Sequence, residues 1–263
     1  MKSETSSSTP RLFRVLGTGL VATDYAGLTA SCCARAAQPG VTAWEFANTQ
    51  VVTWRRHDPA FAALTSAFDY FLPDGMPLVW CMNRQGAGLA DRVYGPAFMR
   101  QLVAATPAPW THYLLGGSPE CGARMRAAMA GWNPAVKIAG SHHGACGLDG
   151  VLSGADDERV VAEIVRLAPD FIWVGLGTPK QHAWIGRNKG RLARGVVLSV
   201  GFAFDVHAGL QPDAPGWMQG RGLTWLFRLG SEPRRLGGRY LKYNCLFLWY
   251  LLRDGISGRA NLK

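Results

Sequence analysis

Much that would announce a function class is missing from this sequence. No run of about 20 apolar residues occurs, so no segment reads as a membrane-spanning helix; the nearest, CLFLWYLL from Cys245 to Leu252, is far too short. The opening stretch MKSETSSSTPRLFR is polar and has no apolar signal-peptide core. The 6 cysteines are scattered with no C-x-x-C pair. That pattern argues for reduced thiols in a cytosolic protein. H-E-x-x-H is absent, and His142, His143 and Cys146 have no second ligand cluster, so no metal site is predicted. The lack of G-x-S-x-G excludes a hydrolase elbow. Neither a P-loop, a complete G-x-G-x-x-G nor a D-x-D signature is present.

Acidic residues are also scarce. Against 28 Lys and Arg stand 18 Asp and Glu, giving a net charge of +10. A polyanionic partner follows: nucleic acid, a phosphorylated ligand or an anionic membrane. The excess is concentrated from Trp217 onward, where Arg221, Arg228, Arg234, Arg235, Arg239, Lys242, Arg253, Arg259 and Lys263 face only Glu232 and Asp254. With 48% hydrophobic residues over 263 positions, the chain can bury a substantial core.

Apolar runs alternate with helical patterns. Leu12–Gly17 reads as a strand before a helix from about Asp24 to Ala37. Val41–Asn48 precedes a helix that Asp58 caps and Pro59 opens. HYLLGG leads to a helix opening at Ser118-Pro119-Glu120, and AVKIAG, after a loop to about Ser153, to a helix from about Ala155 to Leu167. FIWVGLG leads to a helix at Pro179, and Val196–Gly201 closes the series. Repeated β-then-α units predict an α/β, Rossmann-like fold: a mostly parallel sheet with helices on both faces. Residues 1–10 read as a disordered tail and 11–210 as the catalytic domain. Residues 211–263 read as a basic, aromatic helical appendage, suited to packing on the sheet or to a membrane interface.

Ligands of such sheets bind beyond the strand carboxyl ends. Three glycine turns fall there: Gly17-Thr18-Gly19, Gly116-Gly117-Ser118 and Gly175-Leu176-Gly177-Thr178. In the last, Thr178 is placed to cap and Pro179 to open a helix whose amides would favour an anion. Asp74, between YFL and a helical stretch, reads either as a helix cap or as a carboxylate free to act as a base.

Taken in order, several segments resemble the WecG/TagA/CpsF glycosyltransferases. FIWVGLGTPKQHAWI is similar to that family's V-G-L-G-x-P-K-Q-E-x-W-I. The likeness continues through ANTQVVTWRRHDPAF, LPDGMPLVW, DRVYGPAFM, YLLGGSPE, VGFAFDVHAG, APGWMQGRGLTWLFRL and EPRRLGGRYL, from about Arg14 to Tyr240. The resemblance implies an inverting, metal-independent β-glycosyltransferase without cofactors. It would move a sugar from a UDP-sugar to a saccharide on undecaprenyl diphosphate, for a cell-surface exopolysaccharide, capsule or teichoic acid. It implies a cytoplasmic bacterial protein, peripheral at the inner membrane face through the appendage. Nucleic acid is not an expected partner, and homo-oligomerisation is left open.

Under this likeness Asp74 matches the base and Arg92 an arginine near the site. Asn48, Gln181 and Asp205 would contact the donor, with the turn residues Gly116, Gly117, Gly177 and Thr178. Arg228, Arg234, Arg235 and Arg239 would meet the acceptor diphosphate and the membrane. The chemistry agrees: an inverting transfer needs one base, and a metal-free diphosphate leaving group needs amides and arginines. Four positions depart from the pattern: Phe46 for Thr, His182 for Glu, Asp213 for Arg and Thr224 for Glu. They bear on the sugar, which could be an N-acetylhexosamine, a hexose or a uronic acid. The alternatives are a nucleotide-dependent oxidoreductase with a degenerate Rossmann turn, and a basic nucleic-acid module with stacking aromatics.

Overall fold

A computed structural model of the chain describes residues 10–152 and 155–256. The predicted tail lies outside the described residues up to residue 9, as does Ser153.

The strands are β1 (Leu12–Val15), β2 (Thr18–Val21), β3 (Gly40–Ala47), β4 (Tyr70–Pro73), β5 (Thr111–Gly116), β6 (Lys137–His142), β7 (Phe171–Gly175) and β8 (Arg194–Ser199). They form one sheet in the order β1-β2-β4-β3-β8-β7-β5-β6. Only β1 and β2 pair antiparallel; every other ladder is parallel. The fold is therefore the Rossmann-like α/β arrangement expected.

Helices cover both faces. On one lie α1 (Tyr25–Ala36), α5 (Gly95–Ala105), α6 (Pro119–Trp132) and α9 (Ala203–His207). They bury Leu28, Phe98, Met125 and Phe204 against Trp44 and Phe46 of β3. On the other lie α2 (Thr49–His57), α3 (Pro59–Leu64), α4 (Met76–Asn83), α7 (Asp156–Leu167) and α8 (Lys180–Asn188). These bury Val52, Phe61, Leu78, Ile164 and Trp184 against Ala43 and Ala47. The period-2 alternation of β3 thus feeds two separate cores. The caps at Asp58 and Ser118 follow the sequence reading, Asp58 accepting from Ala60 N and Ser118 from Cys121 N, and Asp24 caps α1 by accepting from Gly27 N.

The first glycine turn differs from expectation. Leu16 (φ 48°) and Gly17 (φ 84°) turn β1 back onto β2 as a hairpin at the sheet edge. Two positive φ values in a two-residue loop suit strand twist. Gly17-Thr18-Gly19 is therefore not a strand-to-helix turn. Helix α2 also went unread, because its nine residues, capped by Asn48, are too few to show a clear period.

Among the described residues three more helices follow α9: α10 (Gly216–Gln219), α11 (Thr224–Ser231) and the 24-residue α12 (Pro233–Ile256). Helix α12 packs along α2. Trp54 of α2 stacks on Tyr243 at 5.4 Å, the Tyr250 hydroxyl lies 3.1 Å from His57 Nδ1, and Thr49 bonds Asn244 at 3.2 Å. Leu236, Tyr243, Phe247 and Tyr250 are buried. Leu241, Cys245, Leu248, Trp249 and Leu252, at helical spacing, form an exposed stripe on the same helix. Among the described residues no helix is long and apolar enough to cross a membrane.

Gly116 closes β5 against β7. A Cβ there would meet the Gly175 carbonyl at 2.5 Å, and its φ of +137° is strained for any side chain. Gly116→Ala should therefore cost about 3 kcal/mol or more by overpacking plus strain. Urea denaturation of the variant beside the parent protein measures this; a midpoint shift within error would refute the packing role.

Candidate active site

Strands β3 and β8 are neighbours, yet the chain leaves them in opposite directions. After β3 it enters α2 on one face; after β8 it enters α9 on the other. That divergence opens a crevice at the carboxyl ends, the topological switch point. A cleft of about 330 Å³ occupies it.

Asn48, Gly177, Thr178, Gln181 and Asp205 all line this cleft. Asn48 caps α2, its Oδ1 accepting from Val51 N at 3.1 Å, which leaves the amide nitrogen as its remaining side-chain donor. Gln181 is 4% exposed and accepts from Gly177 N at 3.2 Å. It packs so closely on Gly201 (φ +47°) that a Cβ there would lie 3.1 Å from its Oε1. The Gly177 amide is thus used inside the protein. Thr178 does not cap: α8 starts at Lys180 with Pro179 at its N-cap and no side-chain cap bond. That amide of the turn is therefore not open to a ligand. Gly116 and Gly117 do not line the cleft; they are packing positions, against Gly175 and Cys121.

Asp74 directly follows β4 and does not cap α4, whose N-cap is Gly75 with no side-chain bond. Its Oδ2 accepts weakly from Gly95 N, at the start of α5, at 3.4 Å. Its Oδ1 is buried without a hydrogen bond and lies 3.6 Å from Arg92 Nη1. Burial pushes the carboxyl up to about 7. Arg92, the Gly95 amide and Arg228 pull it back, and Glu45 adds to the rise. A carboxyl that titrates near neutrality in a cleft can exchange a proton with a substrate hydroxyl.

Arg92 is 6% exposed. It donates to Thr224 Oγ1 of α11 at 2.7 Å, and its guanidinium lies 4.3 Å from the Tyr94 ring centroid. The Tyr94 hydroxyl donates to Asp213 at 2.7 Å; burial and this bond keep the phenol protonated. Two of the four departures, Thr224 and Asp213, therefore belong to the polar chain behind Asp74. A third is explained by a buried pair: His182 Nε2 lies 3.1 Å from Glu45 Oε1, with the imidazole between Phe61 and Phe68. Phe46, the fourth, lines the cleft and packs on Phe98 at 5.4 Å. Tyr94, Glu45, Gln50 and Ser199 also line the cleft and were not picked out from the sequence. Only the unusual Glu45 inside an apolar strand signalled itself.

A second cleft, of about 670 Å³, meets the first at Asp74, Asn48, Tyr94, Arg228 and Tyr240. Its far walls are apolar: Trp80 of α4, Trp225 of α11, and Phe247, Leu248 and Leu251 of α12. Arg228 lines both clefts, with its guanidinium 3.8 Å from the Phe202 centroid. Arg239 lines the first cleft. Arg234 is exposed and lines neither, and the Arg235 side chain lies outside the described residues. His142, His143 and Asp156 gather within 4.8 Å of one another. Both imidazoles accept backbone amides and Asp156 holds Arg159, and none of the three lines either cleft.

A switch-point crevice holding a near-neutral carboxylate and arginines defines a class: an α/β enzyme that handles anionic, proton-exchanging substrates. The chain belongs to the glycosyl transferase WecG/TagA/CpsF family, whose model matches residues 13–261. An N-acetylglucosaminyldiphosphoundecaprenol N-acetyl-beta-D-mannosaminyltransferase of Staphylococcus aureus strain MRSA252 is 30% identical over 192 residues, 73% of this chain and 72% of that protein. A protein of the same name from strain MW2 is 29% identical over the same span. Membership of this family displaces the oxidoreductase alternative.

Asp74 also sets a stability slope. Its folded pKa lies above the unfolded 3.8, so the folded state holds the proton more tightly between pH 4 and 7. Stability from this group is full below pH 4 and falls as pH rises to about 7, by about 4 kcal/mol. Asp74→Asn should flatten that slope and be the more stable protein at pH 8. Urea titrations from pH 4 to 8 test it; equal slopes in the two proteins would show that Asp74 ionises normally.

Proposed function

We propose that this protein is an inverting β-glycosyltransferase that uses a UDP-sugar donor and a saccharide carried on undecaprenyl diphosphate. One observation carries the reading: Asp74 stands where two chemically unlike clefts meet. The polar cleft suits a nucleotide sugar; the apolar one suits an acceptor with a diphosphate head and an isoprenoid tail. The relatives' names, which specify a diphosphoundecaprenol acceptor, support the same division.

In this reading the Asp74 carboxylate takes the proton of the acceptor hydroxyl. The oxygen attacks the anomeric carbon as its bond to UDP breaks, and UDP leaves with the bonding electrons. Attack from the face opposite the leaving group inverts the configuration. Arg228 and Arg239 meet the charge growing on the diphosphate, a task that elsewhere a metal ion performs. Arg92 orients Asp74 and keeps enough positive charge beside it for the carboxylate to form. No metal or other cofactor takes part. The product enters a cell-surface polysaccharide of the exopolysaccharide, capsule or teichoic acid type.

The exposed stripe of α12, with the basic residues around it, supports a peripheral seat on the inner membrane face. Deleting the C-terminal helices is a poor test of this, since it would bare the buried face of α2. Substituting the outward residues is cleaner.

Asp74→Asn should lower kcat about 10²- to 10⁴-fold while UDP still binds, and the parent's kcat/KM should rise through an apparent pKa near 7. Transfer assays across pH 5 to 9 measure both, and near-normal turnover in the folded variant would remove Asp74 as the base. Leu241→Glu with Leu252→Glu, at positions 69% and 67% exposed, should abolish flotation with anionic vesicles. The same variant should transfer at least about tenfold more slowly to long-chain lipid acceptors yet normally to a short-chain one. Unchanged flotation would argue against this face as the membrane contact.

A further inference from the structure

The proposed chemistry leaves the floor of the first cleft unused. Glu45 and Ser199 stand side by side in register on β3 and β8, and Gln50 comes from the first turn of α2. All three line the cleft and are at least nine-tenths buried, at 1%, 2% and 7% exposure. Glu45 Oε2, Ser199 Oγ and Gln50 Nε2 have no hydrogen-bond partner. Buried polar atoms are rarely left so, because each forfeits its hydration. Three converging on one cleft mark a place built for a polar ligand.

The donor set selects the ligand. A carboxylate acceptor, an amide donor and a hydroxyl match a group that both gives and takes hydrogen bonds. A phosphate does not fit, since it would face Glu45. Arg55 lies within electrostatic reach, but its guanidinium is committed to Thr18 and Thr65. The arginines suited to phosphate, Arg228 and Arg239, come from α11 and α12 rather than from the floor. His182 Nε2 lies 3.1 Å from Glu45 Oε1 without completing a hydrogen bond.

We infer that Glu45, Gln50 and Ser199 form the donor-sugar subsite, and that Glu45 selects a neutral sugar, a hexose or N-acetylhexosamine, over a uronic acid. The inference rests on the UDP-sugar reading above and narrows it. A hexuronate would bring a second carboxylate into a buried site that already holds one, a like-charge contact that costs affinity.

Calorimetric titration of UDP, UDP-N-acetylglucosamine, UDP-N-acetylmannosamine and UDP-glucuronic acid tests it. The parent protein should bind at least one neutral UDP-sugar about tenfold or more tighter than UDP-glucuronic acid. Glu45→Gln should shrink that ratio by about tenfold, by weakening the neutral sugar and strengthening the uronate, with affinity for UDP alone unchanged. A merely structural role would lower all four affinities together. Ser199→Ala, which removes only a hydroxyl, carries the same test should Glu45→Gln not fold. It should lose affinity for the neutral UDP-sugars severalfold and keep it for UDP. Preference for the uronate in the parent, or discrimination untouched in both variants, would overturn the inference. Failure of UDP itself to bind the parent would overturn the UDP-sugar reading and this subsite with it.

Discussion

Two buried carboxylates at the ends of adjacent strands govern how this site is built. Asp74, whose side chain keeps 17% exposure, follows β4, and the fully buried Glu45 lies near the end of β3, two interior strands of a sheet that helices cover on both faces. A buried charge without compensation costs several kcal/mol. The fold answers with groups from distant parts of the chain. Arg92 comes from the segment before α5, Thr224 and Arg228 from α11, and His182 from α8. The compensation is partial: Asp74 Oδ1 and Glu45 Oε2 keep no hydrogen-bond partner. Full compensation would give a salt bridge, ionised and inert. Partial compensation leaves the Asp74 carboxyl near neutrality and one Glu45 oxygen without a hydrogen-bond partner.

The same constraint explains why the C-terminal helices belong to the site. Thr224 orients Arg92, and Arg228 lowers the Asp74 pKa that burial raises. Helix α11 is held in place by α12, and α12 by its packing on α2 through Tyr243, Phe247 and Tyr250. Helix α2 begins at Asn48, itself a wall of both clefts. A continuous run of contacts therefore links the outer face of α12 to the reacting centre. Leu248, at the margin of that face, and Leu251 behind it line the apolar cleft. A surface that seats α12 on a membrane would bring the mouth of that cleft to the lipid.

The architecture was legible because its signals are local. Buried strands such as Phe171–Gly175 read as apolar runs, and Asp24, Asp58 and Ser118 announce their helices by capping. The hairpin at Leu16-Gly17 was missed because a glycine turn after a strand looks the same whether the next element is a strand or a helix. The site was legible in part. The resemblance marked Asp74, Gln181 and Asp205, all of which line the polar cleft. It also marked Gly116 and Gly117, whose glycine character answers instead to close packing of backbone and Cys121. Glu45, Ser199 and Gln50 converge only through the β3–β8 register and the direction of α2, long-range facts that no spacing along the chain encodes.

The departures from the family pattern acquire physical meaning in pairs. A glutamate at position 182 would set a second buried carboxylate against Glu45. Histidine avoids that second carboxylate and stands 3.1 Å from Glu45 Oε1, so positions 45 and 182 are in direct contact. At position 224 a glutamate would neutralise Arg92, whereas threonine accepts one hydrogen bond and leaves the guanidinium its full charge. That charge is then shared with Asp74, 3.6 Å away, and holds its pKa below the value burial alone would impose. Asp213 takes the Tyr94 hydroxyl, fixing the ring against which Arg92 rests. The changes at 213 and 224 set the hydrogen-bond partners of Tyr94 and Arg92, while Phe46 packs on Phe98. The pattern is that of a polar network retuned around one fixed carboxyl, Asp74.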